Sequence, residues 1–248
     1  MNPIAAIITV MAGVCAASYL LGSVSFAVIF TKAFAGVDVR DYGSKNAGMT
    51  NVSRVAGKKA AALTFICDVA KGAVAVILSR YIGVWFLDKL AGTVIENSVD
   101  PQFFAYLAGL FCVIGHIYPL FFGFKGGKGV ASMLGILLFV DWRTALITLL
   151  VFIIVLVFSR IVSLSSLSAA IAYPILTFLM YDGGEKFKYV FLGLNQHMLI
   201  TLCALCYALI LFFTHRTNII RLIHGQERKI GGKKSKETAA ENNDTDKA

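Results

Sequence analysis

The feature that most constrains this chain is the length of its apolar runs. Seven stretches, near 4–31, 60–84, 102–121, 129–140, 144–159, 164–180 and 190–213, are nearly free of charge. Roughly 20 mostly apolar residues span a bilayer core as helix, so 129–140 and 144–159 are short for a full crossing. In hydrocarbon each backbone group must pair inside its own segment, which leaves helices as the natural solution. The composition agrees: 58% of residues are apolar and 15% charged, against about 45–50% and 25% in soluble domains. The sequence therefore predicts an all-α polytopic membrane protein with seven transmembrane helices, one domain over residues 1–229. Residues 230–248, rich in Lys, Glu, Asn, Asp and Gly, form a basic, polar tail of disordered composition. The run from Ile4 has no basic segment before it and exceeds a signal peptide's apolar core, so it reads as a retained span.

Charge sets the expected direction. Lys32, Arg40, Lys45, Arg54, Lys58, Lys59, Lys125, Lys128, Arg160 and the eight cations after residue 215 share one face, seventeen against five on the other. The positive-inside rule then places the N-terminus outside and the C-terminus in the cytoplasm. This accounts for the +9 net charge without nucleic acid. The five cysteines lie inside apolar runs, where they read as small buried hydrophobes. Cys203 and Cys206 have CxxC spacing without companion ligands, no metal constellation is visible, and no cofactor is implied.

The polar residues gather in a few places. Asp38 to Arg54 packs Ser44, Asn46, Thr50, Asn51 and two arginines into the first basic loop. That density suits an anionic, hydroxylated ligand, because arginine binds phosphate bidentately. A turn contacting lipid headgroups is the competing reading. Lys125-Gly126-Gly127-Lys128-Gly129 directly precedes an apolar helix. Glycine amides, two ammonium groups and a helix N-terminus are the ingredients of a phosphate cradle, with a plain interhelical turn as the alternative. Ser163, Ser165 and Ser166 begin a later helix, where capping is their simplest role. His215 and Asn218 follow the last span, a position that also suits an interfacial anchor. Asp68 and Lys71 stand at i,i+3 inside the second span, where they are expected to pair. All the loop clusters fall on the expected cytoplasmic side.

Gly22-Ser23, Asp38 to Arg54, Asp68-x-x-Lys71-Gly72, Gly115-His116 through Lys128-Gly129-Val130-Ala131, Ser163-Leu164-Ser165-Ser166 and His215-Arg216-x-Asn218 occur in that order. Together they resemble the bacterial PlsY-type acyl-phosphate:glycerol-3-phosphate acyltransferases, from the first span to about Lys229. The resemblance implies a seven-helix enzyme of the bacterial cytoplasmic (inner) membrane with its site facing the cytoplasm. It implies acyl phosphate as donor and glycerol 3-phosphate as acceptor, with a soluble enzyme supplying the acyl phosphate. The family usually has proline where this chain has Ser25 and glycine where it has Ala27 and Lys45, and Met49 replaces an alanine. Lys45 adds charge beside the expected phosphate site, and Met49 narrows it.

On this reading Lys125, Gly126, Gly127, Lys128 and Gly129 hold the acyl phosphate. Ser44, Asn46, Thr50, Asn51 and Arg54 hold glycerol 3-phosphate, with His215 and Asn218 orienting its hydroxyl. Ser44, Arg54, Lys128, His215 and Asn218 are the expected catalytic set, supported by Asp68, Lys71, His116, Ser165 and Ser166. No HX4D dyad is present, since His116 is followed four residues later by Leu120 and five later by Phe121. The donor phosphate is the first candidate for proton acceptor and His215 the competing one. The acyl chain is expected between the third to sixth spans. A small-anion transporter is the rival class, but such proteins tend to bind at the midplane between related repeats. No second copy of either loop pattern occurs.

Overall fold

The computed structural model describes residues 3–91, 101–180, 190–191 and 194–230. Its helices are α1 (Pro3–Gly22), α2 (Phe26–Ala35), α3 (Met49–Val55), α4 (Gly57–Ala91) and α5 (Pro101–Ile117). They continue as α6 (Val130–Val140), α7 (Trp142–Ser159), α8 (Val162–Met180), α9 (Gln196–Thr214) and α10 (Arg216–Ile223). A short antiparallel pair, β1 (Val190–Phe191) and β2 (Leu194–Asn195), leads into α9. Six described helical segments have the length and hydropathy to cross a membrane, and α6, with 11 residues, is shorter. Their outward faces are apolar: Phe158 is 85% exposed and Leu179 70%, an arrangement that hydrocarbon rather than water accommodates. The polar tail beyond Ile230 lies outside the described residues.

The first apolar run, expected as one helix, is broken at residues 23–25. Ser25 begins α2 without a side-chain cap. The carbonyls of Gly22 and Val24, freed by the break, accept from the Lys71 ammonium of α4 at 3.1 and 2.8 Å. Lys71 also pairs with Asp68 at 2.9 Å, as its i,i+3 spacing predicts, and lies 5.7 Å from the Phe26 ring centre. The second break, between α6 and α7, has the same solution. Arg80 of α4 and Gln102 of α5 both donate to the Val140 carbonyl, while Asp141 caps α7 through the Arg143 amide and Thr144 hydroxyl. One long helix thus carries two cations, Lys71 buried and Arg80 half-buried, that satisfy carbonyls no helix can pair.

Small residues let the central helices approach closely, as membrane helices require in the absence of a hydrophobic drive between them. A side chain at Gly22 would strike the Cys112 backbone of α5, and one at Gly135 would strike the Val69 backbone of α4. The main core joins α1, α4, α5, α6, α8 and α9 around Phe104, Tyr106, Ile136 and Ile200. A second, smaller core of Ala27, Val28, Val39, Ala47, Val52, Ala60 and Ala61 fixes α2, α3 and the loop between them at one end of the bundle. The candidate site is built on that end.

Candidate active site

The loop from 36 to 48 is shaped by its own polar groups. Asn51 is buried, accepts from the Ser44 amide at 2.9 Å and donates to the Val39 and Tyr42 carbonyls at 2.9 Å. Its amide is fully engaged, so the expected ligand contact becomes a loop clasp in this structure. Lys45 has φ +55. Glycine takes this left-handed conformation freely, and a lysine does not, which gives the family's glycine here a physical reason. Arg40 joins this loop to the next. Its guanidinium forks onto Asp38 at 2.9 and 2.8 Å and reaches the Phe122 and Lys125 carbonyls. That hydrogen bond holds the Asp38 carboxyl below its ordinary pKa.

The glycine-rich loop corrects the cradle expectation. The Gly126 amide donates to the Ile117 carbonyl and the Gly127 amide to that of His116, at 3.0 and 3.2 Å. Neither N–H is turned toward an anion, because the loop folds back on the end of α5. Gly127 is wedged: a Cβ there would collide with the His116 ring and the Ala47 carbonyl. The loop's glycines therefore serve close packing, and its charge is delivered by Lys128. Gly129, at φ +84, turns the chain into α6. His116 itself is buried within the bundle, 3.6 Å from Asp68 Oδ1 and 3.4 Å from the Ser132 hydroxyl. It lies beneath the loop with Asp68 and Lys71.

Lys128 reaches the far side of the site, where its ammonium donates to Asn218 Oδ1. Asn218 Nδ2 donates to Glu227 Oε1 at 2.6 Å. The same carboxylate accepts from Ser163 Oγ at 2.8 Å and from Arg221 Nε at 2.6 Å. Burial works against the Glu227 carboxylate, but the donors from Arg221, Asn218 and Ser163 prevail and hold its pKa below ordinary glutamate. Burial, countered in part by Glu227, lowers Lys128 to about 8. Arg54 lies within electrostatic reach of Arg228 and Glu227, and burial lowers its pKa as well. Lys128, Arg54, Arg221 and Arg228 thus surround one carboxylate, leaving an excess of positive charge.

His215 is 3% exposed, and its Nδ1–H donates to the Leu211 carbonyl at 2.9 Å, which leaves Nε2 as an acceptor. Burial, aided by Lys128, depresses its pKa to about 4, so the ring is neutral at pH 7. Of the expected supporting serines, Ser165 and Ser166 bond back to the Ile161 and Val162 carbonyls of their own turn. Ser163 is the serine that touches the cluster. Glu227 was not among the expected residues. Its only sequence signal is a lone acid among Arg221, Arg228 and Lys229.

Below this polar end lies a cavity of about 200 Å³ between α6, α7, α8 and α9, with Phe65 of α4 at its side. The expected third span contributes nothing to its lining, and α9 does. The cavity reaches the polar cluster, because Val130 and Ala131 follow Gly129 and the Leu211 carbonyl holds His215.

Residues 12–225 match the family described as glycerol-3-phosphate acyltransferase. The chain belongs to that family. It is 43% identical over 224 residues to the glycerol-3-phosphate acyltransferase of Paraburkholderia phymatum, covering 90% of this chain and 94% of the relative. Against that of Neisseria meningitidis serogroup C it is 40% identical over 218 residues, covering 88% and 96%. Among solved structures it is similar to PlsY, an integral membrane glycerol 3-phosphate acyltransferase, in its glycerol 3-phosphate form. The TM-score there is 0.69 and the identity 34%, over 89% of this chain and 96% of that one. The lysophosphatidic acid form of the same enzyme gives a TM-score of 0.68 at 33% identity, over 88% and 94%.

Proposed function

We propose that this protein transfers a fatty acyl group from acyl phosphate to glycerol 3-phosphate, giving 1-acylglycerol 3-phosphate and inorganic phosphate for phospholipid synthesis. The observation that carries this reading is the surplus of cations around Glu227, directly above an apolar cavity. A phosphorylated head and a fatty chain on one ligand fit that pairing. The relatives named for acyl transfer to glycerol 3-phosphate support the acceptor.

In this mechanism Lys128 and Arg54 neutralise the two phosphates, with Ser44, Asn46 and Thr50 beside the acceptor and Lys125 and Gly129 beside the donor. The glycerol hydroxyl oxygen attacks the acyl carbonyl carbon, the bond from that carbon to the phosphate oxygen breaks, and the hydroxyl proton passes to the departing phosphate. Acyl phosphate is already activated, so positioning and charge stabilisation dominate. Neutral His215, with Nε2 as an acceptor, takes a hydrogen bond from the second hydroxyl of glycerol 3-phosphate and so orients the attacking one, and Asn218 holds Lys128 in place. A pKa of about 4 makes His215 a weak base, which favours the phosphate as proton acceptor. Seven crossings with the N-terminus outside, the site facing the cytoplasm of a bacterial inner membrane, and a soluble enzyme supplying the donor belong to the same proposal. The gathering of the basic loops at one end of the bundle supports that orientation.

The test is purified protein in detergent with glycerol 3-phosphate and palmitoyl phosphate, following phosphate release and lysophosphatidate by mass. Release that requires glycerol 3-phosphate, matches lysophosphatidate and disappears in Lys128→Ala is the expected result. Turnover with acyl-CoA alone overturns the donor. No transfer from any donor overturns the enzyme and restores the transporter.

A further inference from the structure

The cavity has a polar end and, away from it, an end lined by buried side chains. Asp141 is both the last cap of α6 and the first of α7, so the two helices fold back on each other at a single residue. The space between them therefore closes toward Asp141. Val130 lies at the polar end of this space and Leu137 nearer the vertex. Ala145 of α7, Tyr173 of α8 and Tyr207 of α9 line this deeper part, and all three are almost fully buried. The Tyr207 hydroxyl donates to the Tyr106 carbonyl at 2.7 Å, and the Tyr173 ring meets that of Tyr207 edge-on at 6.4 Å. This floor is braced by a buried hydrogen bond and a ring contact, so it does not yield to a longer ligand without losing both.

We propose that Ala145, Tyr173 and Tyr207 set the longest acyl chain that this enzyme accepts. The inference rests on the acyl-transfer reading above. Each methylene that enters the cavity exchanges lipid contacts for packing against its walls, and entry ends where the chain meets the floor. A larger group at Ala145 raises the floor, and a smaller one at Leu137 widens the space beside it.

The experiment offers purified enzyme an equal mixture of decanoyl and palmitoyl phosphate with glycerol 3-phosphate and weighs the two lysophosphatidates. Ala145→Leu is expected to lower the palmitoyl-to-decanoyl ratio by about tenfold, the discrimination an apolar pocket gives per misplaced methylene. Thr148→Leu, on the next turn of α7, moves the ratio the same way and replaces Ala145→Leu if that variant does not fold. Leu137→Ala, given palmitoyl and stearoyl phosphate, moves the balance toward stearoyl. Unchanged ratios in variants that still turn over would sink the inference, leaving chain length to the surrounding bilayer or detergent. Wild-type protein that forms no lysophosphatidate from any acyl phosphate fails the functional reading itself, a result distinct from unchanged ratios.

Discussion

Asn218 donates to Glu227 at 2.6 Å while accepting from Lys128, so one amide connects the ammonium to the Glu227 carboxylate. The amide and the carboxylate are nine residues apart, on either side of the turn that follows α10. Glu227→Gln keeps the size of the side chain and removes its charge. Hydrogen bonds to charged groups contribute roughly 1.5–3 kcal/mol. A loss of about tenfold to a hundredfold in kcat/KM is expected, through misplacement of Lys128, with Glu227→Asp retaining more. Steady-state kinetics on both variants check this, and full activity in Glu227→Gln refutes it.

Lys128 supplies a pH dependence. Its folded pKa of about 8 lies below the ordinary 10.5, chiefly through burial. The ammonium is present at pH 7 and is lost as pH rises through about 8, so kcat/KM should fall along a basic limb there. Between about 8 and 10.5 the unfolded chain binds the extra proton, so the Lys128 contribution to stability rises with pH across that window. Lys128→Arg keeps its charge throughout and should move the limb upward. A pH–rate profile of both proteins decides it.

Lys45 occupies the left-handed region at φ +55, which costs a non-glycine residue about 1–2 kcal/mol. Lys45→Gly removes the strain, and the greater freedom of its unfolded chain offsets part of the gain. Thermal unfolding in detergent should show Lys45→Gly no less stable than the parent. Lys45→Val, β-branched at the same φ, should unfold at a lower temperature.

Lys71→Met leaves Asp68 charged and buried, with the Gly22 and Val24 carbonyls unpaired. Removing one member of a buried pair costs about 3–5 kcal/mol. The double variant Asp68→Leu with Lys71→Met should lose less than the sum of the single changes, because no lone charge is then buried. Chemical unfolding of all three variants tests this, and strict additivity contradicts it.

Much of this protein was legible in one dimension. The helices follow from apolar runs too long for loops and too uncharged for water. Asp68 and Lys71 meet because three residues on a helix is less than one turn. Lys128, His215 and Asn218 stood out as polar residues at helix ends. Which groups face one another was not legible. The Gly126 and Gly127 amides suited an anion by composition, yet backbone carbonyls of α5 lie closer and take them. Asn51 suited a ligand and closes a loop instead, and Ser163 rather than Ser165 or Ser166 faces Glu227. The break after Gly22 was hidden as well, because its partner Lys71 lies 47 residues past Val24 in sequence. Hydropathy is a property of each residue and its near neighbours, so the sequence alone determined the membrane class and the helices. Hydrogen bonds have direction and join distant segments, so only the tertiary structure decided which polar groups remain free to meet a substrate.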